Sequence, residues 1–218
     1  MMRNKFTPVK TARRRSKSSA NWLRRQLNDP YVKMAQAEGY KSRAAFKIIE
    51  IDEKFKLFKS GKIIVDLGSA PGGWSQIAVG KVGEGNVVAV DILDMEEIPG
   101  VKFIKQDFLA PEAQEIIGRE LRNGKCDVII SDMAANTCGD AQTDHLRIIG
   151  MLEETLDFAT KVLAKNGSFV GKVFQGGASG KLLQQFKQKF EVVKHFKPDS
   201  SRKESAENYI VALGFKGT

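Results

Sequence analysis

The chain has 218 residues, 42% of them hydrophobic, and carries 35 Lys+Arg against 26 Asp+Glu for a net charge of +9. That length suits one full-sized domain with an extension, and the apolar share excludes a wholly disordered chain. No run approaches the roughly 18 consecutive apolar residues of a membrane-spanning helix, and the N-terminal region lacks the apolar core of a signal peptide.

The charge is unevenly placed. Nine bases (Arg3, Lys5, Lys10, Arg13, Arg14, Arg15, Lys17, Arg24 and Arg25) precede the first acid, and the rest of the chain balances at 26 of each sign. Residues 1–20 therefore read as a basic, disordered arm on a neutral domain spanning 21–218. Such arms bind polyanions by counterion release, which favours nucleic acid as partner. A solvated tail and an Arg-rich organelle leader are the alternatives, although Pro8 and the Arg13–Arg15 block interrupt an amphipathic helix.

From about Asn21 the pattern is helical, with one helix opening at Trp22-Leu23 and a second after Asp29-Pro30. A third follows Ser42 as N-cap, with Ala45, Phe46, Ile48, Ile49 and Ile51 at helical spacing. The texture then changes to short apolar runs: 62–66, 86–91, 101–104, 127–131, 167–171, 190–193 and 209–213. Near-continuous Val/Ile runs indicate strands buried on both faces. Helical patterns at 76–82, 113–121, 146–163 and 180–189 lie between them. The alternation implies a doubly wound, Rossmann-like α/β domain with a mostly parallel sheet and helices on both faces. Ligands in such a domain bind beyond the carboxyl ends of the strands. Cys126 and Cys138 have no CxxC partner, so neither a disulfide scaffold nor a structural zinc site is expected, and a reducing cytoplasm suits the chain.

Polar residues fall at those strand ends. The loop Asp66-Leu-Gly-Ser-Ala-Pro-Gly-Gly-Trp74 joins the first strand to a helix, but it lacks GxGxxG, and Pro71 has no N–H to offer a phosphate. A glycine turn needed only to reverse the chain is the plain alternative. Asp66 would repel a pyrophosphate and attract a cation. Asp91 ends the second strand, where an acid accepts from ribose hydroxyls, and Asp107 follows the third, placed for an adenine amino group. Asp91 could instead be a simple strand-end acid capping a turn. Together the three acids outline a nucleoside with a cationic, phosphate-free tail, S-adenosylmethionine. Asp132 closes the central strand. Lys172 sits in an apolar segment, where a lysine needs a partner or must lose its charge, and such lysines serve as bases. Lys47, on the flank of an apolar helix face, reads by itself as a snorkelling surface lysine.

These residues are similar to a known family. Ser42-Arg-Ala-Ala-Phe-Lys47, the 66–76 loop, Ser131-Asp-Met133, Gly171-Lys-Val-Phe-Gln175 and Lys197-Pro-Asp-Ser-Ser-Arg202 resemble the motifs of the FtsJ/RrmJ-type ribosomal RNA 2'-O-methyltransferases, over about Ser19–Phe215. The resemblance implies a class I S-adenosylmethionine-dependent fold and methylation of a uridine ribose in large-subunit rRNA, on the assembled subunit. It implies a Lys47–Asp132–Lys172–Glu207 tetrad, with Lys172 as base, Asp132 orienting it, and Lys47 and Glu207 supporting. Cofactor contacts would fall on Gly72, Trp74, Asp91, Asp107 and Asp132; no metal is implied, and a cytoplasmic monomer is the default. For Trp74, lining the pocket and packing the helix on the sheet remain equal readings. Ala135 departs from the family's usual proline. An NAD-type oxidoreductase is disfavoured by the loop, and base methylation by the absence of a catalytic cysteine or an Asn-Pro-Pro-aromatic loop. A silent RNA-binding assembly factor on the same fold is the remaining alternative.

Overall fold

The computed structural model describes residues 7–8, 11, 16–134, 140–174, 180–202 and 204–217. Three helices come first: α1 (Lys17–Asn28), α2 (Pro30–Glu38) and α3 (Ala44–Phe55). Strands and helices then alternate through β1 (Ile64–Leu67), α4 (Gly73–Val82), β2 (Val87–Asp91), β3 (Val101–Lys105), α5 (Ala113–Glu120) and β4 (Cys126–Ser131). The chain continues with α6 (Ala141–Val162), β5 (Leu163–Phe174), α7 (Gly180–Lys189), β6 (Phe190–Phe196) and β7 (Glu207–Phe215). The strands form one sheet in the order β3-β2-β1-β4-β5-β7-β6. Pairings from β3 across to β5 are parallel, whereas β7 runs antiparallel to both β5 and β6. The strand order reverses direction at β1 and β4, so the connections leaving them diverge and open a crevice at their carboxyl ends.

Side-chain alternation sorts the core into two layers. Val65, Leu67, Ile129, Phe169 and Ile210 pack with Ile117 of α5, Leu156 of α6 and Phe186 of α7. On the other face Ile64, Val128, Ile130, Val170 and Val211 pack with Ile48 and Ile51 of α3 and Trp74 and Ala78 of α4. The edge strands differ from the expectation of double burial: β6 is largely exposed on both faces and β3 is only half-buried, because each has a neighbour on one side alone.

Several boundaries move for identifiable reasons. Helix α1 starts at Lys17, inside the stretch read as arm, because the Ser16 side chain accepts from Ser19 N. Helix α6 starts at Ala141, not near Leu146, because Asp140 accepts from Thr143 N. Ser42 does not cap α3: Arg43 holds the N-cap position without a side-chain bond, and the Ser42 hydroxyl is buried and unpartnered. Strand β5 runs on to Phe174, so Lys172 lies within it and not after it, paired opposite Tyr209 of β7. Glu207 likewise opens β7 instead of preceding it.

Candidate active site

The acids read from the sequence gather along the carboxyl edge of the sheet. Asp66 is fully buried near the end of β1, and its Oδ2 accepts from the Ser75 hydroxyl at 2.6 Å. Its Oδ1 has no partner, and neither does the buried Ser69 hydroxyl in the loop that follows. Burial lifts the Asp66 carboxyl, the Ser75 hydrogen bond pulls it back, and Asp132 and Asp91 push it up again, to about 7. At the end of β2, Asp91 holds two backbone amides, Ala70 N on Oδ2 and Leu93 N on Oδ1, both at 2.8 Å. It thereby ties the glycine loop to the neighbouring strand. Asp107 is exposed and accepts from Leu109 N at 2.9 Å. Beside these two acids lie bare apolar side chains: Ile92, Leu93 and Leu109 are 59%, 61% and 51% exposed.

The glycine loop has φ +75° at Gly68 and +104° at Gly72, which only glycine adopts without strain. A Cβ on Gly68 would meet the Met133 side chain at 2.6 Å, and one on Gly72 would meet Ile98 at 2.5 Å. Glycine is thus favoured at Gly68 by its positive φ and by close packing against the residues just after β4, and at Gly72 chiefly by its positive φ. Trp74 resolves toward packing. Its ring is buried 5.6 Å from that of Tyr209, and its Nε1 donates to Ala44 O at 2.8 Å. What Trp74 offers the crevice is its backbone, in the first turn of α4, where orphan N–H groups lie.

A connected ionic cluster lies between β4, β5, β7 and α3. Lys172 Nζ is 2.7 Å from Asp132 Oδ1 and donates to the Asp132 carbonyl at 2.6 Å. Lys47 Nζ is 2.7 Å from Glu207 Oε1 and 3.6 Å from Asp132 Oδ2. Tyr209 joins the halves: its hydroxyl accepts from Lys47 Nζ at 3.1 Å and donates to Asp132 Oδ1 at 2.7 Å. Ser201 Oγ donates to Glu207 Oε1 at 3.1 Å. Lys47 is 6% exposed, so it is a buried, paired lysine and not a snorkelling one, and its charge is matched by Glu207. Burial alone would raise the Asp132 carboxyl, but the charges of Lys172 and Lys47 and the hydrogen bonds from Lys172 and Tyr209 outweigh it and hold it below the usual range. Burial and the Asp132 charge push the Tyr209 phenol well above its ordinary value, so it stays a donor.

Tyr209 was not among the residues expected at the site. Its signal in the sequence is a two-residue offset from Glu207, which puts both side chains on one strand face. Antiparallel register then brings Tyr209 opposite Lys172. Ala135 and Gln175 lie outside the described residues. Cys126 is buried, and burial raises its thiol, so it is not poised as a nucleophile; Cys138 is outside the described residues. Among those residues no group of three His, Cys, Asp or Glu could hold a metal ion, and no helix is long and apolar enough to cross a membrane.

A 3-2-1-4-5-7-6 sheet with one antiparallel strand, acids at successive strand ends and a lysine–carboxylate cluster beside them defines a Rossmann-like methyltransferase domain. The chain belongs to the FtsJ-like methyltransferase family, whose profile matches residues 40–215. It is 52% identical to the ribosomal RNA large subunit methyltransferase E of Rickettsia bellii, over 98% of this chain and 96% of that protein. The protein of the same name from Novosphingobium aromaticivorans is 54% identical, over 99% of this chain and 96% of the relative. A crystal structure of a Plasmodium falciparum protein described as a ribosomal RNA methyltransferase superposes with a TM-score of 0.73 at 28% identity, covering 82% of this chain and all of that one.

Proposed function

We propose that the chain methylates the ribose 2'-hydroxyl of a uridine in large-subunit ribosomal RNA, on the assembled subunit, using S-adenosylmethionine. The names of the relatives support the RNA and the subunit, and the family supports methyl transfer. The crevice residues fit the cofactor's chemistry. The unpartnered Asp66 Oδ1 and Ser69 Oγ suit a cationic amino-acid tail, Asp91 suits ribose hydroxyls, and Asp107 with the bare Ile92, Leu93 and Leu109 suits an adenine ring. Gly72 and the Trp74 backbone would line the approach. When bound, S-adenosylmethionine supplies an electrophilic methyl group: a carbon–oxygen bond forms, a carbon–sulfur bond breaks and one proton is released.

The chain's own task is to take that proton and hold the hydroxyl in line. Lys172 in its neutral amine form is the proton acceptor, and the observation that carries this reading is its Nζ held in place by Asp132, at 2.7 Å from Oδ1 and 2.6 Å from the carbonyl. Asp132, ionised through the neutral range, orients Nζ and stabilises the ammonium that forms. Lys47 and Glu207 form a neutral pair that locks the far side of Asp132 through Tyr209. General-base catalysis contributes roughly 10²–10⁴ in rate. Lys172→Ala should lose methyl transfer to large ribosomal subunits by about that factor, with S-adenosylmethionine affinity by calorimetry near normal. Unchanged turnover would contradict the assignment.

A further inference from the structure

A second cleft of about 420 Å³, with charged side chains and the Tyr31 ring among its lining residues, opens between the α1–α2 junction and the 197–202 turn and is large enough for a small ligand. Its floor is Asp29, buried and ion-paired with Arg43 Nε at 2.9 Å and Arg202 Nε at 3.2 Å. Arg43 also donates to the Ser200 carbonyl, and its guanidinium lies 5.7 Å from the centre of the Tyr31 ring. Ser200 is fully buried yet lines the cleft with an unpartnered hydroxyl. Glu50 of α3 holds the turn by accepting from Asp199 N and Ser200 N, so the turn side of the cleft is tied to α3.

The lining charges decide the ligand class. Arg25, Arg43 and Arg202 face Asp29, Asp199 and Glu204, so the charges cancel. A phosphate site would keep an excess of positive charge. Mixed donors and acceptors beside an aromatic ring and guanidinium planes are instead what an unstacked base meets in a single-stranded RNA site. The position agrees. Ser201 lines the cleft and donates to Glu207, one step from Lys47, while on the other side Asn28 lines it and holds Thr7, a residue within the basic arm.

We propose that this cleft is a subsite for an unpaired nucleobase flanking the methylated ribose; the inference rests on the RNA substrate proposed above. The Tyr31 ring with the Arg43 guanidinium against it is the stacking surface, and the accessible polar side chains of the rim read the base edge. The test compares binding of pentauridylate and of the same oligomer carrying one abasic residue, by fluorescence anisotropy, for the full chain and its Tyr31→Ala and Tyr31→Phe variants. The unaltered chain and Tyr31→Phe should prefer the base-bearing oligomer roughly tenfold, and Tyr31→Ala should lose the preference with its salt dependence unchanged. On large ribosomal subunits, Tyr31→Ala should raise KM with kcat little altered. No preference in the unaltered chain, or a Tyr31→Ala defect equal for both oligomers, would overturn the subsite; a flattened salt dependence would mark a phosphate contact and overturn it too. Failure of the unaltered chain to methylate RNA at all would instead remove the function on which the subsite depends.

Discussion

At the scale of single residues the most informative atoms are the Tyr209 hydroxyl, Lys172 Nζ and Asp66 Oδ1. Tyr209→Phe keeps the ring against Trp74 but leaves Lys47 and Asp132 each one partner short. An unmet buried hydrogen bond costs about 1–3 kcal/mol. The variant should melt several degrees lower and transfer methyl groups about tenfold more slowly, with cofactor affinity by calorimetry retained. Normal kinetics would make Tyr209 a packing residue only. Lys172→Arg should fail nearly as badly as Lys172→Ala, since a guanidinium keeps its charge and takes no proton; an active arginine variant would make Lys172 a fixed charge. Asp66 predicts a pH dependence. Its folded-state value is raised to about 7 from an ordinary 3.8, so its contribution to stability is full below the ordinary value and is lost as pH rises through the raised one. The cofactor-free protein should therefore lose stability between about pH 4 and 7, by up to about 1.4 kcal/mol per pH unit from this group. Asp66→Asn should flatten that slope in thermal melts. Binding of the cationic cofactor should strengthen over the same rise, because ionised Asp66 favours it.

At the scale of elements, the sequence exposed the strands well because Val and Ile runs flanked by glycines and acids are unambiguous. It exposed the ends less well. Lys172, Glu207 and Asn208 are strand residues in an antiparallel pair, but their polarity ended the apolar pattern before the strands did. Tyr209 passed as an ordinary strand aromatic, since only the β5–β7 register reveals what its hydroxyl meets. Trp74 could not be assigned without knowing that α3 lies over α4 and offers it the Ala44 carbonyl. The brace at Asp29 was also illegible, because its partners Arg43 and Arg202 are far away in the chain. Asp29 also caps α2 by accepting from Tyr31 N at 3.0 Å. Asp29→Ala should remove the cap and strand two partly buried arginines, lowering stability by about 3–5 kcal/mol in chemical denaturation. A loss below about 1 kcal/mol would show the brace to be incidental.

At the scale of the whole molecule, a charge-balanced domain follows a basic arm, of which Thr7 is held by Asn28 at the rim of the cleft. Helix α1 begins at Lys17 with its cap at Ser16, so a truncation that spares the domain should remove residues 1–15 only. That deletes six of the bases and should weaken binding to ribosomal particles and flatten its salt dependence, leaving cofactor affinity unchanged. Identical binding at every salt concentration would make the arm a passive tail. The strand-end positions of Asp91 and Asp107 were legible because doubly wound sheets place ligands there, whereas the tetrad emerged from motif resemblance and from no local pattern. The most direct measurement of the central claim is the chemical position of the transferred methyl group. Large ribosomal subunits incubated with the chain and labelled S-adenosylmethionine are hydrolysed in alkali, which cleaves RNA only where a free 2'-hydroxyl remains, and the products are weighed by mass spectrometry. The label should appear in an alkali-resistant dinucleotide containing 2'-O-methyluridine; label on a base, or none in the RNA, would contradict ribose 2'-O-methylation.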